Sequence, residues 1–106
     1  RDALETVIAQ RMAQLLGLEQ VGIEQDFFAL GAHSLLVIKL AAGIRKLLQC
    51  DINPGVIFDH ATVATLAQAL REREANPGQL LKLAQARLRL DSMSPEEKAR
   101  LLEKSR

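Results

Sequence analysis

The residues that invite chemistry lie in one short run, Gly31-Ala32-His33-Ser34, which leads into the mostly apolar stretch 35–40. A hydroxyl at the start of a helix has two readings. As a cap, its oxygen accepts a backbone N–H of the first turn. As a modified residue, it carries a group out into solvent. Gly31 lets the backbone bend tightly just upstream. Exposed N–H groups at a helix start favour a nearby phosphate. A phosphodiester on the Ser34 oxygen gains that field without needing a deep pocket.

Other chemistries fit these residues poorly. A hydrolase elbow reads G-x-S-x-G on a strand-to-helix turn. Here the serine stands in Ala32-His33-Ser34-Leu35-Leu36, with no glycine after it and no strand pattern before it. His33 is next to Ser34 in sequence, and adjacent side chains seldom align for a proton relay. Asp59 and His60 are candidate bases, but no spacing fixes their geometry. His33, His60 and Cys50 lack zinc-ligand spacing. There is no Walker lysine motif and no dinucleotide glycine fingerprint. Lys39, Arg45 and Lys46 lie on or near one helix face, where they either meet phosphate or solvate the surface. A domain that is not an enzyme is expected.

The elements that must position Ser34 are helices. Residues 2–16 place Leu4, Val7, Ile8, Met12 and Leu15 on one stripe. Asp2 suits the amino end and Gly17 the stop. The stretch 18–33 has no sustained period, and Ile23, Phe27 and Phe28 are expected to anchor it as a long loop. Asp26 is a candidate cap for a turn through the Phe pair. Residues 34–48 predict helix two, with Leu36, Leu40, Ile44 and Leu47 as its buried face. Leu35, Ile38 and Ala42 form a second apolar strip, either covered by the loop or used for docking. Asn53 is a candidate cap and Pro54 a first-turn residue, predicting a short helix through Val56, Ile57 and Phe58. Thr62 predicts the cap of a fourth, whose Val63, Leu66, Ala67 and Leu70 share a face. The whole reads as an all-α bundle of three longer helices and one short one.

Asn76-Pro77-Gly78 predicts a boundary. Beyond it, 79–90 reads as an amphipathic helix outside the minimal unit, a break is expected at Asp91-Ser92-Met93, and Ser94, Pro95 and Glu97 predict a capped last helix. Its Leu101 and Leu102 offer little apolar area. The domain is thus expected at 1–75 and a helical linker at 76–106.

Composition narrows the class. The chain has 106 residues, 48% of them hydrophobic, and its aromatic residues are three Phe. The core must therefore come from Leu, Ile, Val and Ala. The net charge is +1, with −3 over residues 1–33 and +3 over 71–106. That balance gives no nucleic-acid footprint. Cys50 is the sole cysteine, so no internal disulfide is expected. No apolar run is long enough for a membrane span. A soluble, reducing compartment, the cytoplasm, is expected, with no membrane or nucleic-acid partner. The chain opens on Arg1, so it is expected to be a segment of a longer protein.

The run Asp26-Phe27-Phe28, Gly31, His33-Ser34-Leu35 resembles the core motif of peptidyl carrier, or thiolation, domains of nonribosomal peptide synthetases, roughly D-x-F-F-x-x-G-G-[HD]-S-L. Ala32 stands where the second glycine is usual. The stretch from Val56 to Leu70 resembles the family's later helical segment, so residues 4–72 are covered. The resemblance implies a four-helix carrier-protein bundle with an additional C-terminal helical linker, monomeric when isolated. It implies that Ser34 takes 4'-phosphopantetheine from coenzyme A through a phosphopantetheinyl transferase. The arm's thiol would hold aminoacyl or peptidyl groups as thioesters. Adenylation and condensation domains, and a thioesterase, are the further partners it implies. His33, Leu35, Ile38 and Lys39 are the expected partner contacts. His at position 33 leans away from an epimerizing module. Residues 90–106 resemble the linker and opening helix leading into a condensation-type domain. Two alternatives stand beside this: an acyl carrier of polyketide or fatty-acid synthesis, and a structural helical domain in which Ser34 only caps. An acyl carrier usually reads D-S-L and has an acidic second helix, whereas this one holds Lys39, Arg45 and Lys46 and no acid.

Overall fold

The computed structural model describes the backbone of residues 1–104 and side-chain surroundings through Arg100. The chain forms α1 (Ala3–Leu16), α2 (Ser34–Leu48), α3 (Pro54–Asp59), α4 (Val63–Arg73), α5 (Gln79–Ser92) and α6 (Pro95–Lys104). Three longer helices and one short one therefore make the bundle, as the periodicity predicts, and two more follow. No strand is present among the described residues. An isolated bridge joins Asp26 to Thr62.

Local chemistry sets the ends of α1. The Asp2 carboxylate accepts the Glu5 N–H at 2.9 Å, and the Asp2 N–H donates to Glu5 Oε1 at 3.1 Å. This is a full capping box. Gly17 has φ of 71°, and the Leu18 N–H reaches back to the Ala13 carbonyl at 2.9 Å. The left-handed residue and the return bond together close the helix. Arg71 pairs with Asp2, tying the end of α4 to the start of α1.

One apolar core joins the helices. It takes Leu4, Val7, Ile8 and Met12 from α1, and Val63, Leu66, Ala67 and Leu70 from α4. No polar or charged residue is buried among the described residues. The α2 stripe is rotated from its expected position. Val37, Leu40, Ala41, Ile44 and Leu48 are buried, whereas Leu36 and Leu47 are half-buried. Leu15 is likewise half-buried at the edge of α1. Residues 35–38 are all apolar, so spacing alone did not select the inward face; packing against α1 and α3 does.

Three further expectations are corrected. Asn53 precedes Pro54 at the start of α3, but its side chain makes no cap bond. Arg45 is exposed, yet its guanidinium donates to the Ile52 carbonyl at 3.1 Å, bracing the α2–α3 loop. The break after α5 falls at Met93, because Asp91 and Ser92 are still helical. The Ser94 oxygen accepts the Glu97 N–H at 3.2 Å to start α6, and its hydroxyl, rather than its backbone N–H, meets the Glu97 carboxylate. The side chains of Leu101 and Leu102 lie outside the described residues.

The rotated stripe is testable. Leu40 is fully buried, so Leu40→Ala should cost about 2–5 kcal/mol. Leu36→Ala should cost about half of that or less, since less area is lost. Urea unfolding of both variants checks the ranking, and an inverted order would put Leu36 on the buried face.

Candidate functional site: a turn that presents Ser34

Ser34 is delivered by the loop 18–33, and the loop is fixed by backbone bonds to the start of α4. The Phe27 N–H donates to the Ala61 carbonyl at 2.8 Å, and the Ala64 N–H to the Ile23 carbonyl at 2.9 Å. Phe27 is fully buried. The Asp26 carboxylate caps the turn through the Phe pair, accepting the N–H groups of Phe28 and Ala29 at 2.8 and 3.1 Å. Phe28 meets Phe27 edge-on and stacks on Phe58 of α3, with ring centroids 5.3 Å apart.

The turn ends on Gly31, whose φ is 113°. An added Cβ would touch nothing there, so the backbone conformation, not lack of room, is what favours glycine. Ala32 follows with an ordinary negative φ, since Gln49 alone among the described non-glycine residues is positive. Alanine therefore serves where a second glycine was expected.

His33 occupies the cap position of α2, with extended backbone and no side-chain cap bond. Ser34 is the first helical residue and is exposed. The capping reading of Ser34 is thereby set aside. No acidic residue lies in the first turn. The amino end of α2 thus combines unshielded backbone donors with an accessible hydroxyl, and this fits a phosphate ester on that oxygen.

The flanking candidates are placed as follows. His33 and Lys39 are exposed. Leu35 and Ile38 are 54% and 52% exposed, and Ala42, one turn further, is exposed as well. The second apolar strip of α2 is therefore open rather than covered by the loop. Phe58, 51% exposed, adds a large apolar surface on α3. Sequence reasoning took Phe58 only as part of a short helix; its exposure follows from Ile57 taking the inward position. Cys50 is half-buried, and burial pushes its thiol up, with a backbone hydrogen bond opposing and Asp51 adding to the rise. Two clefts of about 620 and 260 Å³ lie elsewhere, along α5 and at the carboxyl ends of α2 and α4. No trio of metal-ligating side chains gathers among the described residues. No described helix is long and apolar enough to cross a membrane.

The family described as "Phosphopantetheine attachment site" matches residues 6–70. The chain belongs to this carrier family. Tyrocidine synthase 3 of Brevibacillus parabrevis is 38% identical over 74 residues, which are 70% of this chain and 1% of that protein, so the chain spans only a small part of its relative's length. BlmI, a type-II acyl-carrier-protein of Streptomyces verticillus involved in bleomycin biosynthesis, shares 33% identity and a TM-score of 0.64. That match covers 66% of this chain and 84% of that one. A chain in the complex of the transferase Sfp with coenzyme A and a peptidyl carrier protein shares 30% identity and a TM-score of 0.65, covering 69% and 95%. The carrier thus bears a covalent 4'-phosphopantetheine arm, is of the nonribosomal-peptide-synthetase type, and is not itself a catalyst.

The uncapped serine gives a clear expectation. Ser34→Ala should change stability by no more than about 0.5 kcal/mol. Thr62 does cap α4, accepting the Thr65 N–H at 3.2 Å, so Thr62→Ala should cost about 1 kcal/mol. Equal losses in thermal unfolding would return Ser34 to a structural role.

Proposed function

We propose that Ser34 is the attachment residue, and that this carrier holds aminoacyl or peptidyl groups for the domains of a peptide-assembling synthetase. The observation that carries this is the uncapped, exposed start of α2 behind the Gly31 turn. The serine hydroxyl gives up its proton and forms the phosphodiester, while the nucleotide half of coenzyme A leaves. The amide donors at the start of α2 would hold its phosphate. Once bound, the arm supplies a terminal thiol on which an acyl group rides as a thioester.

The carrier's own contribution is presentation. A tethered substrate meets each partner intramolecularly, so the arm raises effective concentration rather than lowering a chemical barrier. A phosphopantetheinyl transferase, an adenylation domain and a condensation domain are the partners this reading requires, with a thioesterase where the product is released. They must approach the amino end of α2. His33 lies there, with Leu35 and Ile38 as exposed apolar contacts and Lys39 at their rim. An open apolar strip of this kind is retained when it is used. Lys39 and Lys46 on an α2 without acids support the peptide carrier over an acyl carrier with an acidic second helix. The stretch 90–106 is read as leading toward a following condensation-type domain, and the cytoplasm as the compartment.

Intact-protein mass spectrometry after incubation with coenzyme A and a broad-specificity transferase should show one phosphopantetheine on the parent. Ser34→Ala should show none. An unchanged mass gain in that variant would overturn the assignment.

Docking is tested separately. Ile38→Asp places an uncompensated charge where a partner must bury it. It should unfold within a few degrees of the parent yet slow aminoacyl loading at limiting adenylation partner by about tenfold or more. A large loss of unfolding temperature would make Ile38 a core residue. Parental loading would remove the strip from that interface.

A further inference from the structure

The helix that follows the four-helix unit is not loosely attached to it. α5 packs against both α1 and α2. Its Leu80 and Ala84 are 4% and 0% exposed, as deep as the interior of the bundle. Leu83 and Leu88 lie against the same core. The positions 80, 83, 84 and 88 make one helical stripe. The joint is specific too. The carboxylate of Glu74, just past the end of α4, accepts the N–H groups of Gly78 and Leu80 at 3.0 and 3.1 Å. These are donors that the start of a helix otherwise leaves to solvent. Gly78, with φ of 84°, makes the turn between them.

The surface that α5 covers is distant from Ser34. Around the cleft shared by α1, α2 and α5, α2 and its cap contribute Gly43, Lys46, Leu47 and Gln49. The first of these lies about 14 Å along the helix axis from Ser34. Partners that reach the arm therefore meet an α2 end that α5 leaves free.

We propose that α5 is the fifth helix of the carrier unit rather than part of a free tether, and that the face formed by α1 and the carboxyl half of α2 is a docking surface for residues 79–92. The pivot for whatever follows then lies at Met93-Ser94 instead of Asn76. Released and extended, residues 76–92 would add about 55–60 Å of reach. Docked, they add a fixed offset instead, which narrows the volume the carrier sweeps relative to a downstream domain. None of this depends on which residue bears the arm, so the two assignments stand or fall independently.

The test uses the whole chain. In amide hydrogen exchange, residues 83–88 should exchange within about tenfold of the core amides of α1 and α4. In thermal unfolding, Ala84→Asp should lower the midpoint by about 10 °C or more. Gln85→Asp, on the exposed side of the same turn, should lower it by about 2 °C or less. Exchange in 83–88 that is about a thousandfold faster than in α1 would overturn the proposal. So would a parental midpoint in Ala84→Asp, or an equal loss in Gln85→Asp, which would reveal a helix-propensity effect instead of docking. Should Ala84→Asp not fold at all, the exchange pattern of the parent decides by itself.

Discussion

The site depends on how the loop between α1 and α2 is held to the start of α4. A loop of this length is entropically expensive to fix, and it crosses the surface without regular structure. Phe27 is its pin. The ring is buried among the helices, and the N–H of the same residue is bonded to the Ala61 carbonyl. A buried side chain and a satisfied backbone donor on one residue fix both position and direction. Asp26 then has to form its turn in one place, Gly31 has to bend at one point, and α2 has to begin at Ser34. Removing the Phe27 ring would therefore loosen the loop and open a cavity in the core at once.

Much of this was legible in the residues, for reasons that differ by element. Asp2, Asp26 and Thr62 act locally, by accepting N–H groups a few residues away, and Gly17 by its left-handed backbone; their types announced those roles. The all-α bundle followed from the spacing of apolar residues. The inward face of α2 did not. Its first turn carries Leu35, Leu36, Val37 and Ile38 in succession, so the wheel offers several equivalent faces. Only packing chooses Val37 over Leu36. Glu74 was missed because it caps across a turn, from the end of one helix to the start of the next. Arg45 was misread as free charge because its acceptor, the Ile52 carbonyl, belongs to a loop with no pattern of its own. At the site, the motif marked Ser34, but its type alone favoured a cap; the extended backbone of His33 shows that the cap position lies one residue earlier.

The core and the exposed strip answer to different pressures. Along α2, Leu40 and Ile44 face inward while Leu35, Ile38 and Ala42 face water on the same helix. The inward set is worth kilocalories to the fold. The outward set contributes little to it and costs solubility. A helix that carries both has one apolar face buried in the fold and a second left open to water. A substitution in the open strip can therefore alter the surface without repacking the interior.

The aromatic residues of the chain are Phe27, Phe28 and Phe58, and all three meet where the loop joins α3. Aromatic rings shift the resonance frequencies of nuclei above and beside their faces. All the phenyl ring-current sources of this protein therefore sit at one joint, with the imidazoles of His33 and His60 as weaker ones. A small tilt of α3 against the loop alters the Phe28–Phe58 stack and moves the frequencies of nuclei beside it together. The molecule carries its own reporter where the loop that leads to Ser34 meets the neighbouring short helix, with no label added.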